Sequence, residues 1–528
     1  MAVYTRVKPS EYHDSVTLMQ TAQALLKLSC VNDAAVVMGT AANRQILAEA
    51  GLLTSEAESA RADDLLIVVE ADDDDAAAMA MARAEEMLAG RDVRSTGPRT
   101  TRAKSLASAI AAHPGANLAV ISVAGRHAAA EARTALEQGL HVLLFSDNVP
   151  LADEVALKRM ASDRGLLCMG PDAGTAIING VALGFANAVP RGSIGLVSAS
   201  GTGLQGVTCG IARAGGGISQ AVGTGSRDLS EAVGGIMMSA GLAALQADPG
   251  TDVIVLISKP PADPVAARIL RQIRGSDKPT IVCFLGTDPA TIEQTGGLAA
   301  TTLTQAAVMA AAAAQGSDPL TALTELEKKS VELLPLAAAE QARLAQGQRA
   351  LRGLFAGGTF CYEAQLILRN LPEPVFSNAP LVKENRLADS LRSTGHSCVD
   401  LGSDEFTQAR LHPMIDPSLR NRRMLQEALD PETAVILLDV VLGYGAHPDP
   451  AGAAAEAIRE ARRLASEAGR HVAFVASVCG TEADPQCLSR QEAILSDVGV
   501  TVVPDNASAA RFAGLRYAAW QAEHRRAQ

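Results

Sequence analysis

Four short stretches of this 528-residue chain combine small residues with hydroxyls or a cation in ways that suit oxyanion chemistry. The first, Gly195-Leu-Val-Ser-Ala-Ser-Gly-Thr-Gly203, runs from an aliphatic strand through a small-residue turn into a helix. A helix starting there leaves backbone N–H groups unpaired and aimed at one point, and its dipole favours negative charge at the same place. Ser198, Ser200, Gly201 and Thr202 are therefore candidate ligands of a phosphate or carboxylate, the alternative being an ordinary N-cap with glycines for tight packing. The second stretch, Val222-Gly-Thr-Gly-Ser-Arg-Asp-Leu-Ser230, adds Arg227 to a glycine turn at Gly225 and Ser226. A guanidinium fork suits two anionic oxygens; a surface Arg227–Asp228 pair is the alternative. The third, Phe355-Ala-Gly-Gly-Thr-Phe-Cys-Tyr-Glu363, repeats strand, turn and helix start, with Gly358 and Thr359 in the turn. The fourth, Val435 to Gly445, is a buried strand ending at Gly443 and Gly445, and Ser477 to Asp484 is a comparable strand end.

The segment from Arg410 to Arg420 differs in character: it sets His412, Asp416 and Arg420 in a proline-punctuated loop. His412 can donate to an oxyanion or act as acid and base, or it can simply brace the loop. Arg227, His412 and Asp416 are the catalytic candidates.

Such residues need rigid elements beneath them. Short aliphatic runs alternate with Ala/Leu-rich stretches, the pattern of an α/β fold with parallel sheets. Strands are expected at 34–38, 65–70, 118–123, 141–145, 165–169, 193–198, 252–258, 280–285, 434–441 and 472–478. Nearly every one ends in a Gly, Ser, Pro or Asp cluster, and ligands bind at the carboxyl ends of such strands. Pro190 and Gly192 separate a first unit, 1–190, from a second, 191–315. A polar helical stretch without strand signals, 316–344, is expected to link these to a third unit, 345–528. The acidic run 72–75 is expected to be a solvated turn.

Composition narrows the function. Apolar residues make up 48% of the chain and charged ones 20%, as in soluble globular proteins, while only 3% are aromatic, so the cores must be aliphatic. A net charge of -12 disfavours nucleic acid as a partner. No apolar run is long enough to span a bilayer and the first residues lack an apolar signal region, so a cytoplasmic protein is expected. The eight cysteines form no CxxC pair, which fits reduced thiols and neither a disulfide frame nor a zinc site, and no metal is expected.

From 117 to 289 the residues resemble the α subunit of succinyl-CoA synthetase, through Ala119-Val-Ile-Ser-Val123, Gly139-Leu-His-Val-Leu-Leu-Phe-Ser146, Met169-Gly-Pro-Asp-Ala-Gly174 and Gly195 to Thr202. Residues 350–515 resemble the C-terminal domain of that enzyme's β subunit. Over nearly its whole length the chain is similar to the FdrA-type branch of this superfamily. That likeness rests on Met38-Gly-Thr-Ala-Ala-Asn43, Ser146-Asp-Asn148, Gly225-Ser-Arg-Asp-Leu229, Ser258-Lys-Pro-Pro261, His412-Pro-Met-Ile-Asp-Pro417 and Thr481-Glu-Ala-Asp-Pro-Gln-Cys487. The resemblance implies a Rossmann-like CoA-binding-type domain followed by two flavodoxin-like domains with mainly parallel sheets.

The departures are informative. Succinyl-CoA synthetase carries a phosphorylated histidine after the strand corresponding to 280–285, yet no histidine lies between His141 and His396. The stretch 315–350 is too short to hold an ATP-grasp module, and Met38–Asn43 stands where the glycine-rich CoA-binding turn is usual. The resemblance thus implies the large subunit of an oxamate carbamoyltransferase of allantoin catabolism, which converts oxalurate and phosphate to oxamate and carbamoyl phosphate. It further implies unrelated partner subunits in a hetero-oligomer. No cofactor is assigned and CoA stays open. An NDP-forming acyl-CoA synthetase subunit is the alternative, and a non-catalytic scaffold subunit the third reading.

Overall fold

Leu65–Val69 reads Leu-Leu-Ile-Val-Val, and all of it is buried, so the strand holding it must be covered on both faces. The computed structural model describes residues 2–527 except 12, 14, 27, 29, 91–102, 104, 346 and 408–410; Arg410 thus lies outside the described residues. The chain forms two units, Met1–Lys104 with Asp404–Leu411, and Ser105–Ser403 with His412–Gln528.

The first unit holds β1 (Ala2–Lys8), α1 (Ser15–Leu25), β2 (Val31–Met38), α2 (Ala41–Glu49), α3 (Ser55–Ser59), β3 (Leu65–Ala71) and α4 (Asp74–Gly90). Its sheet has the order β1-β3-β2 and is antiparallel throughout. Strand alternation sends Leu65, Ile67 and Val69 to a core with Leu18, Ala80 and Leu88, and Leu66 and Val68 to one with Leu47, Leu52 and Ala57. This corrects the expectation of one Rossmann-like domain over 1–190. An aliphatic run buried on both faces has the same residue pattern whichever way its neighbours point.

The second unit opens with α5 (Leu106–Ala112), β4 (Leu118–Ile121), α6 (Gly125–Glu137), β5 (His141–Leu144), α7 (Leu151–Asp163) and β6 (Cys168–Met169), whose strands form a parallel sheet in the order β4-β5-β6. Then come β7 (Thr175–Ile178), β8 (Val181–Gly184), β9 (Arg191–Ser198), α8 (Gly201–Arg213), β10 (Ile218–Gly223), α9 (Ile236–Ala247), β11 (Val253–Ser258), α10 (Asp263–Ile273), β12 (Thr280–Phe284), α11 (Pro289–Glu293), β13 (Leu298–Ala299) and α12 (Leu303–Ala314). Their sheet runs β13-β12-β11-β9-β10-β7-β8, parallel except for the β7–β8 hairpin. The hairpin pairs with β10, so the second sheet begins before Pro190 rather than after it.

The polar stretch is α13 (Pro319–Ser330) and α14 (Leu333–Gln341). It is more than a linker, because Leu333, Ala337 and Gln341 are buried and Gln341 accepts a hydrogen bond from buried Arg516. The third sheet comprises β14 (Ala350–Phe355), α15 (Gly358–Leu368), β15 (Val375–Phe376), β16 (His396–Asp400), α16 (Asp404–Thr407, grouped with the first unit), α17 (Ser418–Leu429), β17 (Thr433–Val441), α18 (Pro450–Glu467), β18 (Ala473–Cys479), α19 (Leu488–Asp497), β19 (Thr501–Val503) and α20 (Asn506–Ala527). It is parallel, in the order β15-β16-β14-β17-β18-β19.

One apolar cluster joins the second and third sheets through Leu204 and Val207 of α8, Ala307 of α12, Phe360 of α15 and Phe512 of α20. That packing fixes the strand ends that matter most, those of β9 and β14. Among the described residues no helix is long and apolar enough to cross a membrane.

Candidate functional site

At the end of β9 the turn is braced from within. Ser198 Oγ donates to Ser200 O at 2.7 Å and accepts the Ser200 N–H at 3.0 Å, and the Ala199 N–H donates to Ile257 O at 3.0 Å. Ser200 is the N-cap of α8, its Oγ accepting the Gly203 N–H at 2.9 Å. The N–H groups of Gly201 and Thr202, in the first turn, have no acceptor within the helix.

At the end of β14, Asp439 of β17 accepts the N–H groups of Ala356 and Gly357 at 2.7 and 2.8 Å. Asp439 is 1% exposed and faces Arg420, whose Nη1 donates to Asp439 O at 2.5 Å and Oδ1 at 3.3 Å. Burial pushes the Asp439 carboxyl above its ordinary range against the opposing pull of Arg420 and the backbone donors. With those two N–H groups taken, the next N–H groups of α15 are those of Gly358 and Thr359, and the Asp400 carboxylate stands against Gly358.

The two helix starts meet. Ser200 Oγ and Thr359 Oγ1 share a hydrogen bond of 2.5 Å. Glycine is required for the approach, since a Cβ on Gly357 would lie 2.9 Å from Thr202 Cγ2 and one on Gly206 would lie 3.0 Å from Phe360. Two helix N-termini thereby stand beside one pair of hydroxyls, and each favours an anion at its own end.

His412 reaches the same strand end. A Cβ on Gly402 would lie 2.6 Å from His412 Nε2 and 2.5 Å from Ala356 O, so the ring stands beside the backbone leading into α15. Burial holds the imidazole neutral, its pKa pushed down to about 4. Nδ1 accepts the Met414 N–H at 3.3 Å, which leaves the proton on Nε2. His412 is therefore a neutral donor.

The other candidates are engaged elsewhere. Arg227 pairs through Nε with Glu154 at 2.8 Å and donates from Nη2 to Val149 O at 2.8 Å. Glu154 belongs to a buried network in which Lys158 donates to Glu154, Asp228 and Thr224 O, and Asp228 takes the N–H groups of Met237 and Met238. The Arg227 fork is thus committed to a carboxylate contributed by α7, and Asp228 is not its partner. Ser226 donates to Asp172 at 2.8 Å, and Gly225, with φ +88°, packs against Pro171 O. Asp416 accepts the Ser418 N–H and hydroxyl just ahead of α17. The Gly443 N–H donates to Gln486, and the Tyr444 N–H to Ala186 O at 3.0 Å. Gly445 lies 3.4 Å, by its would-be Cβ, from Phe185, so Gly443 and Gly445 form a seam against 184–187 rather than an open anion turn.

Asp439 was overlooked by the residue patterns, although an acid inside Val-Ile-Leu-Leu-Asp-Val-Val is itself a signal, because a buried charge needs partners.

Comparison with known proteins gives two family-model matches: a CoA-ligase model over residues 354–516, and a model described as AllF, heavy metal-associated domain, over residues 1–105. The second segment does not suit a metal. Its one cysteine is Cys30 and its one histidine His13, and among the described residues no group of three His, Cys, Asp or Glu side chains is placed to hold an ion. Protein YahF of Escherichia coli (strain K12) is 43% identical over 504 residues, covering 95% of this chain and 96% of its own. Among solved structures, the dinucleotide-forming acetyl-coenzyme A synthetase 1 of Ca. Korarchaeum cryptofilum, in complex with phosphate and ADP, matches at 16% identity, over 78% of this chain and 84% of that one, with a TM-score of 0.28. PH0766 from Pyrococcus horikoshii OT3 matches at 15% identity over 77% and 84%, with a TM-score of 0.30. ATP citrate lyase from Methanothrix soehngenii, in complex with citrate and coenzyme A, matches at 18% identity over 40% and 41%, with a TM-score of 0.34. All three scores are low, and the architecture stands on the strand order itself.

Proposed function

This chain belongs to the family of the Escherichia coli protein YahF, a succinyl-CoA-synthetase-like family, and from that premise we propose that it is the large subunit of a carbamoyltransferase. The reaction is phosphorolysis of oxalurate to oxamate and carbamoyl phosphate. A phosphate oxygen attacks the carbamoyl carbon, the C–N bond to the oxamate nitrogen breaks, and that nitrogen takes the proton released from hydrogen phosphate.

The observation that carries this reading is the meeting of two helix starts at Ser200 and Thr359. The N–H groups of Gly201, Thr202, Gly358 and Thr359 hold phosphate and then the acyl phosphate made from it, and they stabilise charge without reorganising. His412, neutral and protonated at Nε2, serves as a donor at the edge of this seat. With no histidine between His141 and His396, direct displacement by positioned phosphate replaces a phosphohistidine relay. The AllF match over 1–105 favours allantoin breakdown as the setting. Partner subunits complete the active complex.

The test is phosphate-dependent release of carbamoyl phosphate from oxalurate by the chain together with its co-purifying partners. Formation in step with oxamate supports the reading, and no product with any partner set sinks it. The CoA-ligase match over 354–516 favours a second reading, an acid–thiol ligase subunit. CoA-dependent protection against unfolding, with none from carbamoyl phosphate, would select it.

A further inference from the structure

A dianion held only by backbone N–H groups lacks a full countercharge, and the two arginines nearest in the sequence patterns are already committed, Arg227 to Glu154 and Arg420 to Asp439. The sheet order supplies what is missing. β11 lies beside β9 with Ile257 opposite Ser198, so Lys259 and Ser200 each stand two residues beyond that pair. The Ser258 carbonyl accepts the Leu285 N–H at 2.9 Å, which ties the start of the Lys259 turn to the end of β12. Lys259 is exposed, and among the described residues no carboxylate pairs with it. Its charge is felt in the first turn of α15. There burial drives the Cys361 thiol well up, neighbouring Cys398 and Asp400 push the same way, and Lys259 opposes them.

On the far side of β10 stands β7, whose first residue is Thr175. Thr175 is 2% exposed and its Oγ1 has no hydrogen-bond partner. A Cβ on Gly201, the first residue of α8, would lie 3.7 Å from that same Oγ1. A buried hydroxyl is seldom left unsatisfied in a folded protein, and this one abuts the open end of a helix.

We propose that Thr175 and Lys259 complete the anion seat at the start of α8, with the hydroxyl donating to one oxygen of a phosphate or acyl phosphate and the ammonium supplying the countercharge. The proposal rests on the reading of the α8 and α15 starts as an anion site. It makes the seat selective for doubly charged oxyanions over simple carboxylates.

Calorimetric titration of the full chain with inorganic phosphate tests it, using Thr175→Val, Thr175→Ser, Lys259→Gln and Lys259→Arg. Thr175→Val should weaken phosphate binding about 10-fold or more, since a hydrogen bond to a charged oxygen is lost. It should leave the melting temperature unchanged or raised, because an unsatisfied hydroxyl is removed, and Thr175→Ser should restore binding. Lys259→Gln should weaken binding to a similar degree and flatten its dependence on salt, whereas Lys259→Arg should keep both. If the parent binds phosphate and neither Thr175→Val nor Lys259→Gln weakens it, this inference falls while the anion site stands. If Thr175→Val lowers the melting temperature and serine does not restore binding, the hydroxyl is structural and its assignment falls. If the parent binds no phosphate, the anion reading falls and takes this inference with it.

Discussion

Replacing Asp439 by asparagine keeps the shape of the side chain and removes only its charge and one acceptor. Asp439 Oδ1 takes the Ala356 N–H and faces Arg420 Nη1, and Oδ2 takes the Gly357 N–H. In Asp439→Asn one of the two backbone donors must face the amide NH2, donor against donor. Arg420, 2% exposed, loses its only carboxylate partner among the described residues. Leaving one buried donor unsatisfied costs about 1–3 kcal/mol, and breaking a buried ion pair from one side costs about 3–5 kcal/mol. The two overlap because they share one carboxylate, so the larger figure bounds the effect. For a cooperative unit of about 400 residues that is a fall of about 3–6 °C in melting temperature. Circular dichroism melts of parent, Asp439→Asn, Arg420→Met and the double variant measure it. The double variant should recover part of the loss, since it no longer buries an unpaired guanidinium. If Asp439→Asn melts with the parent, or the two changes simply add, the carboxylate does not secure the start of α15 as argued.

Arg227→Lys should leave phosphate affinity and turnover near those of the parent and cost about 1 kcal/mol or less of stability, because Arg227 is partly exposed and its bonds run to Glu154 and Val149 O; a large loss of phosphate affinity would return Arg227 to the site. His412 supplies the pH dependence. Its folded-state pKa of about 4 lies below the ordinary 6.5, so the unfolded chain binds the extra proton, and the stability this group contributes is complete above about pH 6.5 and lost as pH falls toward 4. Denaturant melts of parent and His412→Asn should therefore diverge at neutral pH and converge in that acid window. The parent's pH–rate profile should show no imidazole inflection between about pH 5.5 and pH 8. An inflection that His412→Asn abolishes would make His412 an acid or base instead of a fixed donor.

What was legible in the sequence follows from what is local. The strands at β9, β11 and β17 show as aliphatic runs because both faces of each are buried, whereas Arg352 and Gly353 interrupt β14 and only the turn after it signals a strand end. The turns at Ser198–Thr202 and Gly357–Thr359 show as small residues because helix starts approach closely there. The meeting of those turns could be expected because two anion-ready starts in one chain have a common use. Strand direction was not legible, so the antiparallel β1-β3-β2 sheet passed for part of a parallel one. Partners distant in sequence were not legible either. Arg227 looked free because Glu154 lies on a helix of the preceding sheet, and Gly443 and Gly445 looked like an anion turn because nothing nearby in sequence announces Ala186 and Gln486 as their neighbours. His412 stands out in the sequence as a titratable group in a proline-punctuated loop, yet its neutrality comes from burial that spacing does not encode.

The central claim is that one anion sits between the starts of α8 and α15. A crystal structure of the chain grown with inorganic phosphate tests it most directly. The account predicts phosphate bonded to the N–H groups of Gly201, Thr202, Gly358 and Thr359, beside the Ser200–Thr359 hydroxyl pair. Phosphate bound instead at the Gly225–Arg227 turn, or none between the two helices at concentrations that support turnover, would contradict it.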